Sequence, residues 1–98
     1  MKAIYKYESY YGRMGSLYGI FVADSKEVND LTTSGDEVYF GEVLGKHSEI
    51  RGEISDTEIK MITAVTELVE KFEELNMETG FNPIAIWKEQ KTTKDNKK

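Results

Sequence analysis

Four chemically useful side chains follow one another in a single predicted turn: the ammonium of Lys46, the imidazole of His47, the hydroxyl of Ser48 and the carboxylate of Glu49. An imidazole titrates near neutral pH, a lysine attracts phosphate or carboxylate groups, and a serine donates or accepts hydrogen bonds. The turn could therefore clamp an anionic ligand, with Glu49 orienting a ribose hydroxyl or His47. The alternative is a solvated, exposed hairpin. A Ser-His-acid nucleophile is disfavoured, because a triad needs side chains that converge from different segments.

A second candidate loop, residues 10–15, holds two glycines around Arg13. Glycines let backbone amides approach a phosphate, and the Arg13 guanidinium could bind it with two parallel hydrogen bonds. The loop lacks the helix start and the glycine-lysine-serine/threonine ending of a P-loop, so a plain hairpin turn is the alternative. Tyr10 and Tyr11 in this loop, or Trp87 elsewhere, could stack on the ring of a ligand.

The composition is that of a small acidic chain without cysteine. The 98 residues carry a net charge of -5, and 39% of them are hydrophobic, as in an ordinary folded domain. Without cysteine there is neither a disulfide framework nor a thiolate metal site, and we expect no cofactor and no metal. No apolar run approaches the roughly 20 residues that span a bilayer. We therefore expect no membrane attachment and a cytoplasmic location.

Charge is distributed unevenly along the chain. From Lys88 to Lys98, five lysines against one glutamate and one aspartate give +3, which leaves -8 for the rest. A body this acidic repels nucleic-acid phosphates, so general nucleic-acid binding is disfavoured. We predict one folded domain over residues 1–88 and a disordered, lysine-rich tail over residues 89–98. The tail is either a solvated end or an arm for a nucleic acid or a partner.

Hydrophobic patterns predict two hairpins separated by a short helix. Period-two alternation and β-branched or aromatic runs mark four strands. These span residues 2–8, 17–23, 37–44 and 49–54. Ser25 can cap a short helical segment that reaches Leu31, before the second hairpin begins.

An amphipathic pattern further along predicts one long helix. Ser55 and Glu58 have the spacing of a capping box. Apolar residues then recur every three or four positions, at Ile59, Ile62, Val65, Val69, Phe72 and Leu75. The helix would end near Gly80, and Pro83 would begin a last strand over residues 84–87. The predicted order is β-β-(short helix)-β-β-α-β. It is an α+β fold with a mostly antiparallel sheet of four to five strands and one long amphipathic helix packed on one face.

Two surfaces of this fold could serve a partner. Tyrosine accounts for 6 of the 98 residues, and one helix cannot cover both faces of the sheet. The tyrosine-rich face is therefore a rim of the core, a homo-oligomer interface or a stacking floor for a ring-shaped ligand. The acidic stripe from Glu67 to Glu74, with Glu78, is either a solvated helix face or a surface for a basic partner. No carboxylate pair lies in an identifiable cleft, so acid–base hydrolysis has no support.

Residues 38–50, with residues 22–28 before them, resemble small uncharacterised accessory proteins of tailed bacteriophages. The shared feature is a tyrosine-phenylalanine-glycine-glutamate strand, here Tyr39 to Glu42, that runs into glycine-lysine-histidine-serine-glutamate, here Gly45 to Glu49. The resemblance implies a viral accessory protein. Such proteins act by stoichiometric binding to host components, including the capture of nucleotide signals in host defence.

The leading hypothesis is a non-catalytic, homo-oligomeric protein that binds a small, nucleotide-like anion. The ligand would lie between the Arg13 loop and the Lys46 turn, with a tyrosine or Trp87 stacked on it. The alternative is a protein–protein inhibitor that docks on a host enzyme through the acidic helix or the tyrosine-rich face. A third possibility, a small hydrolase or nuclease, requires His47 as its acid–base group. The first hypothesis requires the two loops to lie together.

Overall fold

The computed structural model describes residues 1–44 and 49–95, which form six strands and three α-helices. The strands are β1 (Lys2–Tyr10), β2 (Ser16–Asp24), β3 (Glu37–Gly41), β4 (Ile50–Glu53), β5 (Ile59–Thr63) and β6 (Thr79–Gly80). The helices are α1 (Ser25–Ser34), α2 (Thr66–Glu74) and α3 (Pro83–Asp95), and a 3-10 turn spans Gly12–Met14. A four-stranded sheet has the order β5-β1-β2-β6, and β3 and β4 form a separate ribbon. All described pairings are antiparallel, which confirms the α+β class and the mainly antiparallel sheet.

The β1–β2 hairpin carries the main core on one of its faces. The two strands pair without interruption from Lys2 opposite Asp24 to Tyr10 opposite Ser16. Successive side chains of a strand point to opposite faces, so the odd-numbered residues of both strands share one face. We call this the core face; its buried residues are Ala3, Tyr5, Tyr7, Ser9, Leu17, Gly19, Phe21 and Ala23. The opposite side, with the even-numbered residues, is called the outer face.

The core face is covered by α1, α3 and the β3–β4 ribbon. Each contributes buried apolar side chains to one cluster, among them Leu31, Val38, Phe40, Ile50, Ile84 and Trp87. Phe40 fixes the ribbon to the sheet, because its ring stacks on Tyr7 with centroids 5.9 Å apart. It also meets the edge of the Phe81 ring at 5.8 Å. Such pairs stabilise a core beyond the area that they bury.

The outer face is covered by α2, which packs against β1 at the end of the sheet that contains the N-terminus. Val69 is the buried residue of this helix, and Ile4 is buried on the sheet. Lys2 Nζ lies 3.2 Å from a carboxylate oxygen of Glu73 across the same contact. Further along the same face, Tyr18 is exposed. The main sheet is therefore covered on both faces, and the cover on the core face is more extensive than the cover on the outer face.

The predicted long helix is wrong in its first third. Residues 59–63 form β5, which pairs with β1, and only residues 66–74 are helical. Residues 59–63 are largely β-branched, and they pair with β1 as a strand. The apolar spacing of three and four positions nevertheless continues through both β5 and α2. The Ser55 amide does donate to the Glu58 carboxylate at 2.9 Å, as in a capping box. Here the pair closes a turn that leads into a strand.

The predicted last strand is a helix. The Asn82 side chain accepts a hydrogen bond from the Ala85 amide at 3.1 Å, and Pro83 occupies the first helical position. Both features are typical of a helix start. Because α3 continues to Asp95, residues 89–95 of the predicted disordered tail are helical. Residues 96–98 lie outside the described residues.

Smaller differences concern the short helix and the second hairpin. The predicted short helix is confirmed as α1, but its cap is Asp24 rather than Ser25, since the Lys26 amide donates to Asp24 at 2.9 Å. Strands β3 and β4 are shorter than predicted. The register of the ribbon shifts between Tyr39 and Gly41, where Gly41 has a positive φ of 84°.

Candidate functional site

The loop between β1 and β2 is a compact turn that presents Arg13 to solvent. Within it, the Tyr11 amide donates to the Gly15 carbonyl at 2.8 Å, and the Gly15 amide donates to the Gly12 carbonyl at 3.1 Å. Gly12 and Gly15 have φ values of 61° and 110°, which residues with a Cβ rarely adopt. The two glycines that the sequence singled out are therefore required by the turn itself.

The end of the ribbon lies beside this turn. A Cβ built on Gly15 would be 3.7 Å from Leu44 Cδ2, and one built on Gly52 would be 3.7 Å from the Tyr11 hydroxyl. Tyr11 and Leu44 both pack against the core. Leu44 and Gly52 thus lie next to the β1–β2 turn, and this neighbourhood is called here the hairpin end (residues 10–15 with Leu44 and Gly52). Lys46, His47 and Ser48, two to four positions after Leu44, lie outside the described residues.

The described candidate residues at this end differ in availability. Tyr10 is 79% exposed, and Arg13 is exposed and makes no ion pair with the part of the chain that the structure describes. Tyr11 is half-buried and has a structural role. Glu49 lies 3.4 Å from Arg51, whose guanidinium stands over the Tyr39 ring at 5.5 Å. Glu49 thus forms an exposed ion pair with Arg51, and its predicted role toward a ribose or His47 stays a prediction.

Trp87 does not fit the role of a stacking residue. It belongs to α3 rather than to a strand, only 6% of it is exposed, and it is part of the core. Its indole N–H donates to Asp36 at 3.0 Å, and the Lys91 ammonium covers the ring at 4.4 Å from the centroid. The expectation that Trp87 stacks on a ligand is wrong, because the residue is used to attach α3 to the core face.

A buried polar cluster, which the sequence did not reveal, lies under the hairpin end. The Tyr7 hydroxyl is fully buried and has no hydrogen-bond partner among the described residues, with Ser9 and Tyr11 beside it. Ser9 is also buried and donates to the Glu58 carboxylate. Burial raises the pKa of the Tyr7 hydroxyl far above its ordinary value of 10.0; the Ser9 side chain partly lowers it, and Tyr11 and Glu58 raise it. The only sequence signal was that Tyr7 and Ser9 share a strand face.

The two hydroxyls of this cluster are buried and are not presented to solvent. The Ser9 hydroxyl is buried and points to a carboxylate, so it cannot reach a substrate in solvent. Tyr7 remains a neutral phenol at physiological pH. No group of three or more histidine, cysteine, aspartate or glutamate side chains suited to a metal occurs in residues 1–44 and 49–95. Among the candidate residues of the hairpin end, Tyr10 and Arg13 are exposed.

A groove of about 420 Å³ lies at the opposite end, between the N-terminus and α2. Its lining includes Lys2 together with Glu70 and Glu73, and Lys2 is already paired with Glu73. An anion entering this groove would meet two carboxylates and a cation that is already neutralised. The hairpin end is therefore the better candidate for an anionic ligand.

Comparison with protein-family models, with curated proteins and with solved structures found no match for this chain. Within the described ranges, none of the helices has the length and apolar character needed to cross a membrane.

Proposed function

We propose that this chain is a non-catalytic binding protein that holds a small, nucleotide-like anion at the hairpin end. The observation that carries the proposal is the packing of the β1–β2 turn against the end of the ribbon, with Gly15 next to Leu44. This packing brings the loop with Arg13 to the segment that leads into Lys46, His47 and Ser48. The position of Leu44 next to Gly15 thus supports the requirement that the two loops lie together.

Arg13 and Tyr10 would supply the recognition. A guanidinium without an ion pair among the described residues can bind a phosphate through two charge-assisted hydrogen bonds. The exposed Tyr10 ring can stack on a base. Because the chain has a net charge of -5, a short anion that reaches these few cations is favoured over a long nucleic acid, whose phosphates would also meet the acidic body.

The resemblance to phage accessory proteins implies a biological role for this binding. A stoichiometric binder in the cytoplasm of an infected host would act by removing a nucleotide signal from solution, and it would need no turnover. Self-association belongs to the same proposal, and each subunit would add one such site.

A thermal-shift panel of linear and cyclic nucleotides, with inorganic phosphate, tests the proposal. A ligand that binds only the folded state raises the melting temperature as its concentration exceeds Kd. Arg13→Gln should weaken binding by about tenfold or more, because it removes a charge-assisted contact worth about 1.5–3 kcal/mol. Lys26→Gln removes an exposed cation at the opposite end and should leave binding unchanged. Absence of a shift with every nucleotide would reject the proposal.

The Lys46 turn is tested separately. Lys46→Gln and His47→Ala should each weaken binding, and the ligand should be recovered chemically intact after incubation with the wild-type protein. Conversion of the ligand that His47→Ala abolishes would instead support the hydrolase hypothesis.

A second candidate function, docking on a host protein, is favoured by the exposed side of α2. Leu68 is 53% exposed, and Leu75, just after the helix, is also exposed. Glu67 and Glu74 flank them on the helix, so a basic, amphipathic partner segment fits this surface. A partner recovered by the wild-type protein should be lost with Leu68→Ser/Leu75→Ser and retained with Arg13→Gln. The opposite pattern would assign the partner to the hairpin end.

A further inference from the structure

The outer face of the main sheet is uncovered toward the hairpin end. Helix α2 packs against β1 and covers the end that contains Lys2. Beyond it, five neighbouring side chains of β1, β2 and β5 lie on the outer face and are exposed. We call this group the open patch; its members are Lys6, Glu8, Tyr10, Tyr18 and Lys60.

Two aromatic rings of the open patch are available for stacking. Tyr10 is 79% exposed and Tyr18 is 44% exposed. Tyr18 lies opposite Glu8, and Tyr10 follows two residues later on β1, so the two tyrosines are diagonal neighbours on adjacent strands. The backbones of diagonal neighbours are roughly 7–8 Å apart. Exposed aromatic rings of this kind stack on any nucleic-acid base. The patch therefore offers one stacking position for each of two bases.

Two lysines of the open patch lie directly opposite each other. Lys6 on β1 pairs with Lys60 on β5, and like charges in this position are unfavourable. Neither lysine makes an ion pair within residues 1–44 and 49–95. The Lys6 ammonium stands over the Tyr18 ring, 5.8 Å from its centroid. A cavity of about 150 Å³ is lined by both lysines, and a phosphate bound there would relieve their repulsion.

Two carboxylates line the same cavity and limit the charge that it accepts. The Glu58 carboxylate is already engaged, because it accepts from the Ser55 amide at 2.9 Å and from the Ser9 hydroxyl. Glu8 makes no ion pair with the described part of the chain, so it can accept from a hydroxyl or an amino group of a ligand. Its charge also opposes a chain of several phosphates. The cavity therefore suits a single phosphate whose neighbouring groups donate hydrogen bonds.

We propose that the ligand of the hairpin end continues onto the open patch and is a single-stranded dinucleotide. One base stacks on Tyr10 and the other on Tyr18, while a phosphate lies between Lys6 and Lys60. This inference rests on the proposed function, because Tyr10 belongs to both surfaces. It adds a second base and a second phosphate position to the single nucleotide-like anion.

The extent of the open patch sets the length of the ligand. Lys6 and Tyr10 are four residues apart on β1, which corresponds to roughly 14 Å along the strand. One base cannot reach both positions, whereas two stacked bases can. A long nucleic acid would continue onto the rest of a chain whose net charge is -5. A short ligand is therefore favoured.

Isothermal titration calorimetry with the four 5′-phosphorylated homodinucleotides and the matching mononucleotides tests this inference. The wild-type protein should bind at least one dinucleotide about tenfold more tightly than its mononucleotide, since each stacked base adds to the affinity. Tyr18→Ala should remove this advantage. Tyr39→Ala is the matched control, because Tyr39 is 45% exposed on the separate ribbon, and it should keep the advantage.

Salt dependence tests the lysine pair. Lys60→Gln should weaken dinucleotide binding and reduce the slope of log affinity against log salt by about 0.7, the value for one phosphate contact on a single strand. Lys71→Gln on α2 is the matched control and should leave the slope unchanged. Because Tyr18 and Lys60 are exposed, both variants should keep the wild-type melting temperature without ligand.

The outcomes separate this inference from the proposed function. Dinucleotides that bind no more tightly than mononucleotides, or an advantage that survives Tyr18→Ala, would overturn the open patch as a binding surface. Mononucleotide binding that Arg13→Gln weakens would then leave the hairpin end standing alone. Dinucleotide binding that requires Tyr18 and Lys60 but is unaffected by Arg13→Gln would support the open patch and reject the hairpin end. Absence of binding by every probe would reject both.

Discussion

The two faces of the main sheet differ in how much of them is covered and in what covers them. On the core face, α1, α3 and the ribbon bury a continuous cluster of aromatic and aliphatic side chains. On the outer face, α2 covers one end with Val69 and Phe72 and leaves Leu68 exposed, and Tyr18 is exposed further along the sheet. Buried apolar area is the main favourable term in folding. Stability should therefore be concentrated on the core face, and α2 should contribute less to it.

The same contrast extends to polar contacts. On the core face, Trp87 donates to Asp36 and Gln90 bridges two backbone groups of β3. On the outer side, the described ion pairs of Lys2 with Glu73 and of the N-terminus with Asp24 are both solvent-exposed. Exposed pairs contribute little to stability. In a two-layer protein, one layer can thus determine whether the chain folds, while substitutions in the other layer reduce its stability only slightly.

The largest expected difference comes from the same substitution on the two layers. Leu31→Ala in α1 removes a side chain that is 1% exposed and leaves a cavity in the core, which should cost about 3–5 kcal/mol of unfolding free energy. Leu68→Ala in α2 should cost less than about 0.5 kcal/mol, because the side chain is already in solvent and alanine favours the helix. Urea unfolding of both variants measures the difference. Equal losses would show that the outer layer is as important for folding as the core.

A smaller loss tests how closely the chain approaches the core face. A Cβ on Gly19 would lie 1.9 Å from the Phe81 carbonyl oxygen, so Gly19→Ala must displace the segment that pairs β6 with β2. We expect a loss of about 2–3 kcal/mol. Gly12→Ala meets no atom within 4 Å and should cost only the strain of its positive φ, about 1 kcal/mol. Thermal melts of the two variants compare them, and a Gly19→Ala variant as stable as Gly12→Ala would contradict the close approach.

The parts of the fold that the sequence predicted correctly are those in which local pattern and tertiary need agree. In the β1–β2 hairpin, buried and exposed residues alternate regularly, and the turn requires glycine at its positive-φ positions. Helix α1 is short and has a capping residue at its start. The predicted candidate residues Tyr10 and Arg13 are exposed because Tyr10 lies on the outer face at the end of β1 and Arg13 lies at the turn. That the loop with these residues lies next to Leu44 could be seen only in the tertiary structure, because the sequence does not determine how the ribbon packs on the sheet.

The errors arose where one pattern fits two structures. From Ile59 to Thr63, the apolar spacing suits a helix, whereas the β-branched content suits a strand; the vacant edge of β1 decides between them. Around Pro83, the short apolar run fits a strand, whereas the cap by Asn82 favours a helix. The misplacement of Trp87 followed from that error. The buried Tyr7 hydroxyl without a partner could not be predicted, because the alternation of hydrophobic residues does not indicate which groups lie next to a phenol.

A further test concerns the amide that closes the β3 edge. Gln90→Met keeps the length of the side chain but removes both hydrogen bonds to β3, and it should cost about 1 kcal/mol because water can replace the lost partners at this exposed site. Glu89→Met adds the same side chain at the preceding, exposed position and should be nearly neutral. Urea midpoints compare the two variants. If they are equally stable, the Gln90 bridge does not contribute to stability.

The smallest expected effect belongs to the exposed contact of Asp24 with the N-terminus. The amide of Lys26 donates to this carboxylate and, with the N-terminal ammonium, holds the pKa of Asp24 below its ordinary value of 3.8. A group whose pKa is lowered by folding stabilises the folded state above its ordinary pKa, and this stabilisation is lost as the pH falls through the lowered value. Wild type should therefore be slightly more stable than Asp24→Asn at neutral pH, with the difference disappearing in acid below about pH 3.8. Denaturation midpoints over a pH series measure it, and Asp30→Asn controls for the loss of one negative charge. A difference that stays constant into the acid range would mean that the charge of Asp24 does not stabilise the folded state.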